Sequence, residues 1–188
     1  MKRSLKRTRN TKDKGRTSVH GVLVDIYGVG VLIQGPSGVG KSETALDLIA
    51  RSHRLVADDL VLVHKDAAGQ VLGSSPELSR YYIEVRGLGL LNIRDLYGAA
   101  AVRDMKKIDM LLELVPFDNI ANIDRLGIEI FEYTILGKKL PRVRVPLWKG
   151  RNLTTIIEVA ARNQILRWAG KHSALEFERM HSEKMCVP

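Results

Sequence analysis

The chain reads as an α/β domain: a mixed β-sheet flanked by helices, with a phosphate-binding loop set between a strand and a helix. Three observations predict this class. Gly35-Pro36-Ser37-Gly38-Val39-Gly40-Lys41-Ser42 fits the pattern G-x-x-x-x-G-K-[ST] at every fixed position. It lies between an apolar run of strand length, Val29 to Gln34, and a helical stretch, Glu43 to Arg51. Many short apolar runs bounded by turn residues follow, which fits a mixed sheet better than a regularly alternating βαβ array.

Taken in order, Val19 to Tyr27 and Val29 to Gln34 are two strands around Gly28. The first helix draws its apolar face from Ala45, Leu46, Leu48 and Ile49. His53 to Asp59 is a short buried strand ending in two acids, and Leu60–His64 with Val71–Gly73 forms a hairpin across Asp66-Ala67-Ala68-Gly69. Tyr81 to Arg86 is a strand running into Gly87-Leu88-Gly89. Asp109 to Val115 is a strongly apolar strand stopped by Pro116. Ile128–Leu136 and Leu140–Pro146 pair about a turn at Gly137-Lys138-Lys139. Asn152 then caps a helix whose Ile156, Ile157, Val159 and Ala160 share a face. No internal repeat or low-complexity core interrupts this order.

Bulk properties narrow the function classes. The 188 residues suffice for one sizeable core, and 45% apolar content is that of a soluble globular protein. The lone cysteine, Cys186, excludes an internal disulfide and fits a cytoplasmic location. No apolar run approaches the roughly 20 residues of a membrane span, since Asp25 interrupts the best candidate. The net charge of +9 is concentrated in residues 1–17, which hold eight Lys or Arg against Asp13. That leaves +2 for the other 171 residues. Residues 1–17 are therefore expected to be a solvated, disordered basic tail, and residues 18–188 the domain that carries the phosphate-binding loop. Charge confined to a tail gives only salt-sensitive attraction, so no specific nucleic-acid partner is expected.

The loop carries the chemistry. Gly35, Gly38 and Gly40 let successive backbone N–H groups turn inward toward phosphate oxygens, and Pro36, Ser37 and Val39 complete the cradle. The following helix N-terminus adds partial positive charge. Lys41 reaches the terminal phosphates and the Ser42 hydroxyl is placed to ligate Mg²⁺. Phosphoryl transfer also needs acids and further cations. Asp58 and Asp59 end a strand where a metal-ligating acid belongs, although adjacent residues on a regular strand point to opposite faces. Glu84 and Arg86 share one strand face, so an acid and a cation can enter the same cleft; as a pair alone they equally fit an exposed ion pair.

With Gly38-Val39-Gly40-Lys41-Ser42-Glu43-Thr44-Ala45-Leu46, the run Glu84-Val85-Arg86-Gly87-Leu88-Gly89 and the stretch Pro146-Leu147-Trp148-Lys149-Gly150-Arg151-Asn152-Leu153, the chain resembles the bacterial HPr kinase/phosphorylase family. The resemblance runs from His20-Gly21-Val22-Leu23-Val24-Asp25 to the helix after Asn152. It implies a fold akin to the nucleotide domain of phosphoenolpyruvate carboxykinase, assembled as a homo-hexamer. It implies phosphorylation of a serine of HPr, a small phosphocarrier protein, with ATP or pyrophosphate as donor. Dephosphorylation by inorganic phosphate yields pyrophosphate, and the cycle controls carbon catabolite repression.

By position, the resemblance implies that Lys41 neutralises phosphates and that Ser42 and Glu84 hold Mg²⁺. Asp59 accepts and returns the serine proton with Asp58 beside it, and His20, Arg86 and Arg125 are further active-site groups. Lys149 and Arg151 serve mainly dephosphorylation, where Trp148 is bulkier than the family pattern. Family members carry a further N-terminal domain, so a truncated or divergent short form is expected. Two other readings stay open on the residues: a P-loop kinase of a small hydroxyl compound, and a non-catalytic nucleotide-binding regulatory module.

Overall fold

A computed structural model of the chain describes residues 15–116, 131–148 and 150–185. Arg125, Lys149, Cys186, residues 1–14 of the expected tail and the first three residues of the expected strand at Ile128 lie outside the described residues.

The expected first strand is two strands. β1 (Arg16–His20) and β2 (Val22–Ile26) are separated by Gly21, whose φ of +155° and close approach to the Ile33 carbonyl exclude a side chain. β1 starts inside the span expected to be tail, because Arg16 and Thr17 pair with His64 and Val63. β3 (Val29–Gln34) leads through the loop into α1 (Lys41–Ala50). β4 (Arg54–Ala57) follows, then the expected hairpin β5 (Leu60–Lys65) and β6 (Val71–Ser74). β7 (Tyr82–Val85) turns back on β8 (Gly89–Asn92), and the short α2 (Ile93–Tyr97) and β9 (Met105–Lys107) come next.

β10 (Met110–Pro116) is the apolar strand read from the sequence. β11 (Phe131–Ile135) and β12 (Lys138–Leu147) form the later hairpin, which turns at Leu136-Gly137 and not at Gly137 to Lys139. Both turn residues have positive φ, the geometry that matches strand twist in a two-residue hairpin. Asn152 caps α3 (Leu153–Trp168), its side-chain oxygen accepting the Thr155 N–H at 3.0 Å. α4 (Ser173–Met185) closes the described chain.

The strands form a mixed sheet ordered β11-β12-β10-β3-β2-β4, a smaller antiparallel sheet ordered β1-β5-β6-β9, and the β7-β8 hairpin. β3, β10 and β12 run parallel. The central strands are apolar on both faces, and the period of two sorts their residues. Val22, Val24 and Ile26 of β2, Val29, Val31 and Ile33 of β3, and Met110, Leu112 and Leu114 of β10 pack with Ala45, Leu48 and Ile49 of α1 and Ile157 and Ala161 of α3. Leu23, Leu32 and Leu111 point the other way, onto Val61, Val63 and Val71 of the smaller sheet and Ile108 just after β9. Each such buried Val, Leu, Ile or Met side chain contributes about 1.5–3 kcal/mol. Val159, expected on the inner face of α3, is instead exposed, while Thr154, Ile157, Ala161 and Gln164 are buried. Among the described residues no helix is long and apolar enough to cross a membrane.

Candidate functional site

The loop after β3 curls under its own lysine. Lys41 Nζ donates to the carbonyls of Gly35 at 3.0 Å and Pro36 at 2.8 Å, which places the ammonium over the start of the loop. Gly38 and Gly40 take left-handed φ values of +75° and +90°. No side chain caps the N-terminus of α1, so its first-turn N–H groups stay available to an anion.

Asp58 and Asp59 both lie just past β4. Asp59 takes φ +63°, which breaks strand alternation, and both carboxylates line one cavity of about 170 Å³. The expectation that at most one could face the phosphates holds only for a regular strand. Ser37, Gly38, Gly40, Lys41, Ser42, Glu43, Glu84 and Arg86 line the same cavity. The structure therefore brings together the loop, both adjacent acids, Glu84 of β7 and Arg86, which lies in the turn after β7 and not on the strand expected to reach it. Arg86 hangs over the loop, with its Nη2 3.6 Å from where a Cβ on Gly38 would stand.

Asp58 organises the floor. Its carboxylate accepts the Ser42 hydroxyl at 3.0 and 3.1 Å and the Glu84 backbone N–H at 3.2 Å. Burial pushes its pKa above the usual carboxylate range. The bonds from Glu84, Ser42 and the Asp59 backbone oppose that shift, and the Asp59 charge adds to it. Asp59 instead is open to solvent, and its Oδ1 is 3.7 Å from His20 Nδ1. The oxygen set of Ser42, Asp58 and Glu84 fits Mg²⁺, which takes one or two carboxylates and completes its shell with phosphate oxygens and water.

Not every expected residue converges. Arg151 lines neither cavity beside the loop: its Nη1 donates to the Pro146 carbonyl at 3.0 Å and its guanidinium sits 3.9 Å over the Trp148 ring. Burial lowers its pKa. His20 lines a second cavity of about 460 Å³, with Gln34, Gly35, Pro36, Glu113, Leu114, Val115, Pro116 and Arg144. Gln34, Glu113 and Arg144 were not anticipated from the sequence, because only the pairing of three distant strands assembles them.

A family model described as the HPr Serine kinase C-terminal domain matches residues 13–181. A protein named HPr kinase/phosphorylase from Geobacter sulfurreducens is 53% identical over 171 residues, covering 91% of this chain and 54% of that protein. One of the same name from Geobacillus kaustophilus is 50% identical over 167 residues, covering 89% and 54%. The chain thus spans about half the length of the curated relatives it matches. The solved structure of the Hpr(Ser) kinase/phosphatase from Coxiella burnetii superposes with a TM-score of 0.78 at 33% identity, covering 86% of this chain and 98% of that one.

Proposed function

The chain belongs to the HPr serine kinase C-terminal domain family, and from that premise we propose that it phosphorylates a serine of HPr in a Mg²⁺-dependent reaction. The donor is ATP or pyrophosphate. The reverse is phosphorolysis, in which inorganic phosphate takes the phosphoryl group and leaves as pyrophosphate. The observation that carries this reading is the convergence of Asp58 and Asp59 on the loop cavity, one buried against Ser42 and the other exposed beside His20.

In this reading the buried acid and the exposed one have different tasks. Asp58 holds the Ser42 hydroxyl proton, which leaves the Ser42 oxygen lone pairs for the metal, and Glu84 supplies a second carboxylate. Bound Mg²⁺ neutralises charge on the phosphates and helps fix their orientation. Asp59 takes the proton from the acceptor serine as its oxygen attacks the terminal phosphorus. The bond to the leaving phosphate breaks, and Lys41 with the loop N–H groups receives the charge. In reverse, inorganic phosphate attacks the serine-borne phosphorus and its proton passes through Asp59 to the departing serine oxygen. His20 sits against Asp59 and orients it. A cytoplasmic homo-hexamer serving catabolite repression, on a core like the nucleotide domain of phosphoenolpyruvate carboxykinase, completes the proposal.

The test compares Asp59→Asn with Lys41→Ala. Asp59→Asn is expected to lower transfer in both directions by about 10²–10⁴-fold while pyrophosphate and ATP still bind; Lys41→Ala loses binding as well. Unchanged turnover in Asp59→Asn would remove Asp59 from the mechanism.

A further inference from the structure

The larger cavity has no assigned task in that mechanism, and its wall carries a partly exposed arginine, Arg144. Parallel pairing sets Gln34 opposite Glu113 and Glu113 opposite Arg144. An amide, a carboxylate and a guanidinium therefore stand in a row level with the carboxyl end of β3 and three residues before the ends of β10 and β12, beside the edge where ligands of open α/β sheets bind. Glu113 is committed elsewhere: its Oε2 accepts Arg142 Nε at 3.1 Å and Arg142 Nη2 at 2.5 Å. Arg144 Nε stands 3.4 Å from the same oxygen, yet it is buried without a hydrogen-bond partner among the described residues. That nitrogen is closed to solvent, but the Arg144 side chain is 26% exposed and lines the cavity, which leaves its other donors for an anion. Arg142 and Arg144 share the one carboxylate of Glu113, so that cluster is net positive, which selects an anion.

The position identifies that anion. The cavity is bounded by Gly35 and Pro36, the first residues of the loop, and by His20, whose ring faces Asp59. The cavity that holds Lys41, Ser42 and Asp58 begins at Ser37. Attacking and leaving oxygens lie roughly in line through the transferred phosphorus, so the acceptor enters from the side away from the leaving group. Arginine matches a phosphate with paired, planar donors. We infer that Arg144 binds a phosphate dianion on the acceptor side of the loop, the one carried by the substrate serine during dephosphorylation. This rests on the proposed reaction.

The experiment uses the whole chain and its Arg144→Gln and Glu113→Gln variants. Arg144→Gln is expected to raise KM for serine-phosphorylated HPr about tenfold, with KM for unphosphorylated HPr unchanged. Glu113→Gln is expected to lower KM for the phosphorylated form, because it removes the competing negative charge. A rise in KM for inorganic phosphate in place of the phosphoprotein supports the same anion site with free phosphate as its occupant. Equal losses on phosphorylated and unphosphorylated HPr, or no change in any KM, overturn the inference. A phosphorus NMR titration with inorganic phosphate and phosphoserine separates this from failure of the reaction itself. Two phosphate sites are expected, one lost in Lys41→Ala and the other in Arg144→Gln. A single site lost in Lys41→Ala and untouched in Arg144→Gln overturns the inference whether or not the chain transfers phosphate.

Discussion

Asp58 accepts hydrogen bonds from Ser42 and from the Glu84 and Asp59 backbone in a place where its own charge is disfavoured. Its pKa in the folded chain lies above that in the unfolded chain, so folding takes up a proton between the two values. Stability from this group is thus present below the unfolded value and falls as pH rises through the folded one. Asp58→Asn keeps a carbonyl for Ser42 and Glu84 and removes the buried charge. The variant is expected to melt higher than the parent at neutral pH, with the gap closing as pH falls below the carboxylate range. A pH-independent gap in thermal melts would contradict this. The function proposed for Asp58 predicts lower transfer in the same variant, so stability and activity should move in opposite directions. Gly30 is a second residue with no alternative. A Cβ there would stand 1.8 Å from the Lys107 carbonyl oxygen, which is backbone and cannot swing away. Gly30→Ala should cost about 1–3 kcal/mol or more in urea unfolding; a loss below about 0.5 kcal/mol would show that β9 yields easily.

At the scale of elements, Glu158 fastens α3 to the body. It accepts Tyr27 Oη at 3.2 Å, Arg51 Nη1 at 3.3 Å and pairs with the buried His53 at 3.0 Å, while Arg162 lies over the Tyr27 ring. Burial pushes the Glu158 carboxyl up, but the bonds from His53 and Tyr27 and the charges of His53 and Arg51 outweigh it and hold it below its ordinary value. Its stability is present above the unfolded carboxylate value and is lost as pH falls through the lower, folded one. Glu158→Gln should lower stability by about 1 kcal/mol at neutral pH and converge with the parent in acid; a constant difference in melts across pH would refute the charge account. Sequence legibility followed the same boundary between local and distant. The loop, α1 and the Asn152 cap were legible because each is dictated by residues within a few positions. Glu84 and Arg86 do enter one cavity, but Arg86 reaches it from the turn after β7 and not by strand alternation. The β7–β8 hairpin was missed, since Gly87 and Gly89 fit close backbone approach as well as a turn. α4 had no counterpart among the expected elements, and its Leu175, Phe177 and Met180 are exposed.

For the whole molecule, helices, mixed sheet and smaller sheet stack in three layers, and the loop cavity opens where the middle layer ends. The mixed sheet was legible from its many short apolar runs, but the second sheet beneath it was not. Both sheets draw on strands with the same composition, and only long-range pairing sorts them. That limit also hid Gln34, Glu113 and Arg144, which come from strands about 80 and 30 residues apart in sequence. It hid the convergence of Asp58 and Asp59 too, because the left-handed turn at Asp59 is not written in the strand pattern. The account's central claim is reversible transfer to a protein serine, and mass measurement of HPr tests it most directly. Incubated with the chain, Mg²⁺ and ATP or pyrophosphate, HPr should gain a single phosphoryl group on serine, and excess inorganic phosphate should remove it with release of pyrophosphate. HPr of unchanged mass, with the chain still binding nucleotide, would contradict the account.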